Sequence, residues 1–286
     1  KVKEDGADEK TNTELNMGVG MFFGIAIYFM IFLYGSQVMR GVIEEKTNRI
    51  VEVIVSSVKP FQLMLGKIIG VALVGLTQFI LWIVLTTVIY VGITSTVFKN
   101  QIQDTLTQNN QIEKVMKNDI LSQSHKMEKV GTPNEVIDMF NFADGLNLPV
   151  LITCFAFYFL FGYLLYAALF AAVGSAVDSE ADTQQFILPV TIPLILSFVI
   201  AQAIMSNPNS SMAQFFSIFP LTSPIVMMVR LPFDVPVWEL ALSMFMLVVG
   251  FLFFTWMAGK IYRTGILMYG KKTTWKELGK WLFYKG

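Results

Sequence analysis

RGVIEEKTNRIVEVIVSSVKPFQLMLGK, residues 40–67, is a charged stretch set between two long apolar runs. On a helix of about 100° per residue, Glu45, Arg49, Glu52 and Ser56 fall on one face. Ile43, Ile50, Val51, Ile54 and Val58 fall on the opposite one. The pattern predicts an amphipathic helix over 40–67, joined to a membrane span at each end and lying along the bilayer surface. Its polar face is then held out toward a soluble partner.

Composition agrees with that placement. Of 286 residues, 54% are hydrophobic and only 15% charged, with a mean hydropathy of +0.58. Soluble domains carry roughly 25% charged residues. Phenylalanine at 25 and methionine at 16 are in excess, as on lipid-facing and helix-packing surfaces. The fold class is therefore an all-α polytopic membrane protein. Twenty-one basic residues balance 21 acidic ones, which gives no argument for a nucleic-acid partner. The lone Cys154 sits in an apolar run, so disulfides within the chain and cysteine-based metal sites are excluded. No cofactor is expected. No signal peptide is visible at Lys1, and the start reads as a cut through a longer chain.

Five spans are predicted, with interfacial amphipathic helices beside them. Residues 1–16 are a polar linker, the remnant of a missing domain. Residues 17–97 hold the first two spans, 17–39 and 68–97, with the surface helix between them; about 20 apolar residues suffice to cross. Gly20 and Gly24 form a GxxxG pair, either a close-approach site or ordinary glycine usage in a membrane helix. Residues 98–147 are a polar insertion, read as a small helical cap outside the membrane. Its His125, the only histidine, reads as solvated, because a metal or catalytic site needs partners that the sequence does not supply. Residues 148–259 hold three further spans, at 149–177, 186–205 and 240–258. An acidic turn, Asp178 to Asp182, follows the third span. Pro189 and Pro193 are expected to kink the fourth. Pro220, Pro224, Pro232 and Pro236 interrupt residues 211–236, which fit a pair of short interfacial or re-entrant helices. The tail, 260–286, is basic, with Trp275, Leu278 and Leu282 in a stripe that suits a surface helix with lysines reaching headgroups.

Five spans put the chain ends on opposite sides. Arg40, Lys46, Arg49, Lys59, Lys67 and the basic tail assign their shared side to the cytoplasm. The N-terminus is then outside and the C-terminus inside.

The chemistry in the sequence is sparse. No GxxxxGK[ST] phosphate loop occurs, so the chain is not expected to hydrolyse nucleotide itself. No charge falls in mid-span, which disfavours an ion-coupled carrier. Gln78, Thr86, Thr87, Thr191 and Gln202 are too scattered to line a pore. Glu44, Glu45 and Arg49 match EExxxR, a motif of intramembrane prenyl-protein endopeptidases. The histidine motifs that such general-base chemistry needs are missing.

Glu44-Glu45-Lys46-Thr47-Asn48-Arg49-Ile50-Val51-Glu52, followed by Ser56, Ser57, Lys59, Pro60, Phe61, Gly66 and Lys67, resembles the permease subunits of type-two ABC exporters. The branch it looks most like includes the bacterial sodium-efflux permease. Phe219 to Pro224, Arg230, and Val235-Pro236 with Trp238-Glu239 resemble that family's extracellular segment before its last helix. The resemblance implies an earlier membrane helix and an exported domain preceding this chain. It further implies a separate ABC ATPase docking on Glu44, Glu45, Lys46, Arg49 and Glu52, with a second contact at Asp178, Glu180 and Asp182, and a second permease copy or homologue as dimer partner. Closure of the ATPase on ATP would then swing the first two spans. The alternative is a non-transporting membrane scaffold that uses the same surface to hold a soluble partner.

Overall fold

The computed structural model describes residues 2–55, 57–116, 148–233, 235–268 and 274–283. Inside its helices, the side chains at 2–15, 51, 52, 55, 90, 93–116, 148 and 180 stay outside the description. So do His125, with the rest of 117–147, and Lys271, Lys272 and Lys285 of the tail.

The described residues build helices and no strand. In chain order these are α1 (Val2–Thr47), α2 (Ile50–Val55), α3 (Pro60–Met116), α4 (Leu148–Ala176), α5 (Gln184–Met205), α6 (Ser211–Ile218), α7 (Ser223–Arg230), α8 (Val237–Gly265) and α9 (Trp275–Phe283). Helices α1, α3, α4, α5 and α8 each hold a segment long and apolar enough to cross a membrane. Lys1–Gly75 with Asn141–Gly286 forms one compact unit, and Leu76–Phe140 forms another. Helix α3 starts in the first unit and continues through the second. There it exposes Ile80, Leu81, Trp82, Leu85, Val88 and Ile89, side chains suited to hydrocarbon rather than water.

Helix α4 is the centre of the first unit, packed between α1 and α8. Its aromatic run explains why. Tyr158, Phe159, Tyr163, Tyr166 and Phe170 are all buried, and a buried phenol needs a partner for its hydroxyl. Tyr158 donates to Ser243 Oγ on α8 at 2.8 Å. Tyr163 donates to the Ile68 carbonyl of α3 at 2.9 Å. Tyr166 donates to the Leu221 carbonyl, between α6 and α7, at 2.6 Å. One helix thus pins three neighbours through groups that hydrocarbon cannot satisfy.

The GxxxG pair belongs to close approach, not to ordinary usage. A Cβ on Gly20 would lie 2.5 Å from the Val229 carbonyl oxygen, and one on Gly24 would lie 2.6 Å from Val229 Cγ2. Without those side chains α1 reaches the backbone of α7. Helix α7 then packs on α5 and α6 through Ile200, Ile204, Ala213 and Val226.

Element boundaries depart from the sequence expectations in two places. The 40–67 stretch is not one flat helix. Residues 40–47 are the last turns of α1, 50–55 are the short α2, and 60–67 already belong to α3. Helix α3 also runs on to Met116, so the polar insertion begins as an extension of the second span. Helix α5 continues through Pro189 and Pro193 from Gln184 to Met205.

Candidate functional site

The break after α1 has a local cause. Asn48 N–H donates to the Glu44 carbonyl and Arg49 N–H to the Lys46 carbonyl, both at 3.0 Å. Arg49 has φ 55°, the left-handed conformation that closes helices and that glycine or asparagine usually supplies. An arginine held there costs on the order of 1–3 kcal/mol, a strain concentrated at functional positions. Helix α2 then ends as Ser57 and Val58 N–H both donate to the Ile54 carbonyl at 2.9 Å. Pro60 opens α3 at the first helical position, where its missing N–H costs nothing. Lys59 before it is steered away from helix by the proline ring. Residues 40–67 therefore form a helix end, a strained turn, a helical fragment and a helix start.

Two ion pairs anchor this turn. Lys46 is 2% exposed, lies 3.0 Å from Asp178 Oδ1 and donates to the Ser175 carbonyl at 2.8 Å. Asp178 follows α4, so this contact locks the end of α1 to the end of α4. Thr47 Oγ1 adds a 3.4 Å hydrogen bond to the Asp178 carbonyl. Glu45 pairs with Lys67 at 2.6 Å, which ties α1 to α3. Phe61, at the start of α3, lies against α8, where a Cβ on Gly259 would be 2.6 Å from its ring. Helices α1, α3, α4 and α8 are thus joined at one end of the unit.

The sequence-derived site residues divide accordingly. Glu44 and Arg49 are exposed, beside exposed Arg40, Asn48 and Lys59. Glu45 faces α3. Lys46 is a buried anchor rather than a surface contact, a correction to the docking face drawn on a single helix. The cause is tertiary packing: on α1, helical to Thr47, Lys46 lies on the side that meets the end of α4. Asp178 is its partner. Glu52 in α2 and Glu180 in the short 3-10 turn Glu180–Thr183 have side chains outside the described residues. Asp182 accepts from Ser179 Oγ at 2.8 Å.

A second polar cluster sits at the opposite end. Arg230, fully buried at the end of α7, is 2.8 Å from Glu239 Oε2 at the start of α8. Its Nε donates to the Pro208 carbonyl at 2.8 Å and its Nη1 to Ser217 Oγ. Ser243 donates to the Ser217 carbonyl and accepts from Tyr158. Gln214 Nε2 reaches Glu239 Oε1 at 3.4 Å. The arginine thereby satisfies the α5–α6 connection, α6 and α8 at once. Removing one partner of such a buried pair costs about 3–5 kcal/mol, because the other charge is left unpaired. The motif positions around Arg230 and Glu239 carried the family resemblance, but their pairing did not follow from it. The available signal was two opposite charges, nine residues apart, in a stretch otherwise almost free of charge.

These features define a class. Among the described residues, five helices long and apolar enough to cross a membrane, with a charged, anchored turn between the first two, make a multi-pass membrane protein. A family model described as "ABC-2 family transporter protein" matches residues 6–260, and the chain belongs to that family. It is similar to "Uncharacterized protein YhaP" of Bacillus subtilis (strain 168), with 28% identity over 97% of this chain and 58% of that protein. It is also similar to "Uncharacterized protein MJ1024" of Methanocaldococcus jannaschii, with 24% identity over 99% of this chain and 58% of that protein. The chain thus spans little more than half the length of these curated relatives. No solved structure matches it.

Proposed function

We propose that the chain is the membrane part of an ATP-driven exporter whose ATPase is a separate subunit, and that the turn Glu44–Arg49 is where the ATPase pushes. The observation that carries this reading is the division of labour around the turn. Glu44 and Arg49 are presented outward, while Lys46 and Glu45 tie the same turn to Asp178 and Lys67. A force on the outward charges therefore reaches α1, α3 and α4 together, as rigid-body coupling requires. The strained Arg49 supports the same reading, since a costly backbone conformation persists where something depends on it.

In this account the turn, Asp178 and the basic tail face the cytoplasm of a bacterial cell. The α5–α6 connection and the Arg230 cluster face outward. Glu52 and Glu180 extend the ATPase contact, and two such chains form the transport unit. The cargo is Na+ or another small solute or drug, since the branch that the sequence resembles covers several cargoes. The longer relatives fit a first membrane helix and an exported domain in the remainder of the protein. Reversing charge at both exposed positions, Glu44→Lys with Arg49→Glu, should abolish co-purification of the ATPase and ATP-driven efflux. Unchanged association and efflux would remove the assignment.

A further inference from the structure

One face of the molecule has no part in the coupling account. A cavity of about 240 Å³ opens between α5 and α8, floored by α4. Ala172, Val173, Phe186, Val190, Phe254 and Trp275 are among its lining residues, and almost all of its wall is carbon. Such a wall offers nothing to an ion or a polar solute, and a void of this kind stays dry until an apolar ligand fills it. Pockets for drug-sized ligands measure roughly 300–1,000 Å³, so the space is small for a bulky cargo. A helix about 10–12 Å across is far too wide for it. A single hydrocarbon chain fits.

The mouth of the cavity identifies the rest of the ligand. Helix α9 closes one end with Trp275, whose ring lies 4.8 Å from that of Phe186, and with Leu278. Lys276 and Lys280 of the same helix are exposed. Glu277, the acidic residue between them, is engaged in accepting from the Thr274 N–H that starts the helix, at 3.2 Å. Lys260 of α8 lies 4.2 Å above the Trp256 ring and donates to the Leu282 carbonyl at 3.1 Å, which fastens the far end of α9. An apolar slot closed by an amphipathic helix that also carries two exposed lysines matches a chain with a negative headgroup.

We propose that this cavity binds one acyl chain of an anionic phospholipid from the surrounding leaflet, with Lys276 and Lys280 at its headgroup, and that α9 is positioned by that lipid. The assignment is independent of the ATPase docking proposed above.

The test uses the whole protein in phosphatidylcholine vesicles, with Trp275 left as the sole tryptophan by Trp82→Phe, Trp238→Phe, Trp256→Phe and Trp281→Phe. A minor fraction of phosphatidylglycerol, brominated in the upper half of one chain, should quench Trp275 more than the same fraction of brominated phosphatidylcholine. The expected preference is about fivefold in apparent affinity for each lysine. Lys276→Glu with Lys280→Glu should erase the preference. Filling the slot with Val190→Phe, or with the milder Ala172→Leu, should reduce quenching by both lipids. Equal quenching by the two lipids, a preference that survives the charge reversal, or unchanged quenching in a folded filled variant would overturn the proposal. Stronger quenching by a brominated free fatty acid would also overturn it and assign the slot to a single-chain ligand.

Discussion

The two ends of the helical unit solve the same electrostatic problem in opposite ways. At one end Arg230 and Glu239 are withdrawn from solvent, and the arginine gives each of its described hydrogen bonds to a different element. At the other end Lys46 is buried while its partner Asp178 remains 36% exposed, and Glu44 and Arg49 beside it are exposed. A fully enclosed pair fixes geometry and is costly to disturb. A half-open one holds the helices in place yet leaves charge available to a neighbour. The contrast separates an enclosed clamp from an anchored turn that carries exposed charges.

The largest effect is expected at the clamp. Arg230→Met should destabilise the protein by about 3–5 kcal/mol, since Glu239 is left buried and unpaired. Thermal unfolding in detergent measures this. Adding Glu239→Leu should recover most of the loss, because an apolar pair of similar volume is often neutral. A single variant as stable as the double would break the comparison.

Next comes the helix contact that holds the clamp against α1. Gly20→Val should cost about 1–3 kcal/mol by overpacking, because the added carbon meets the Val229 backbone rather than a movable side chain. The same substitution at Gly18, where a Cβ meets nothing within 4 Å, should be close to neutral in the same unfolding assay.

A smaller loss is expected at the anchor. Asp178→Asn should cost about 1–2 kcal/mol, between the exposed and enclosed limits for ion pairs. Unfolding at low and high salt sharpens the contrast. The Lys46–Asp178 contribution should shrink with salt, and the Arg230–Glu239 contribution should not. The smallest stability effect belongs to the outward charges. Glu44→Lys should lie within about 0.5 kcal/mol of the parent, so any loss of ATPase binding in that variant reads as loss of contact rather than of fold.

The crossings were legible because hydrocarbon imposes a length and a composition that few other segments satisfy. Their ends were less so, because a helix need not stop where the bilayer does. Helix α1 continues past Met39 to Thr47, and α3 continues past Val97 to Met116. The surface helix over 40–67 was misread for a specific reason. The apolar spacing over Ile43 to Val58 mimics one continuous helix. The breaks come from Arg49 in a left-handed conformation, which arginine's own preference does not announce, and from Lys59-Pro60, whose sequence did carry a stop signal. The charges of the candidate site were all found from sequence. Which of them are anchors was not, because Lys46 and Asp178 lie more than 130 residues apart in the chain and meet only through the packing of α1 on α4.

The most direct measurement places a thiol at the tip of the turn. Asn48→Cys and, as control, Asn209→Cys at the opposite end are both exposed positions, while the native Cys154 is buried. With the ATPase co-expressed, a short bis-maleimide should cross-link it to Asn48→Cys and leave Asn209→Cys free. Cross-linking through the Asn209 position, or none at Asn48 while the ATPase still co-purifies, would contradict the assignment of the Glu44–Arg49 turn as the point where the motor engages.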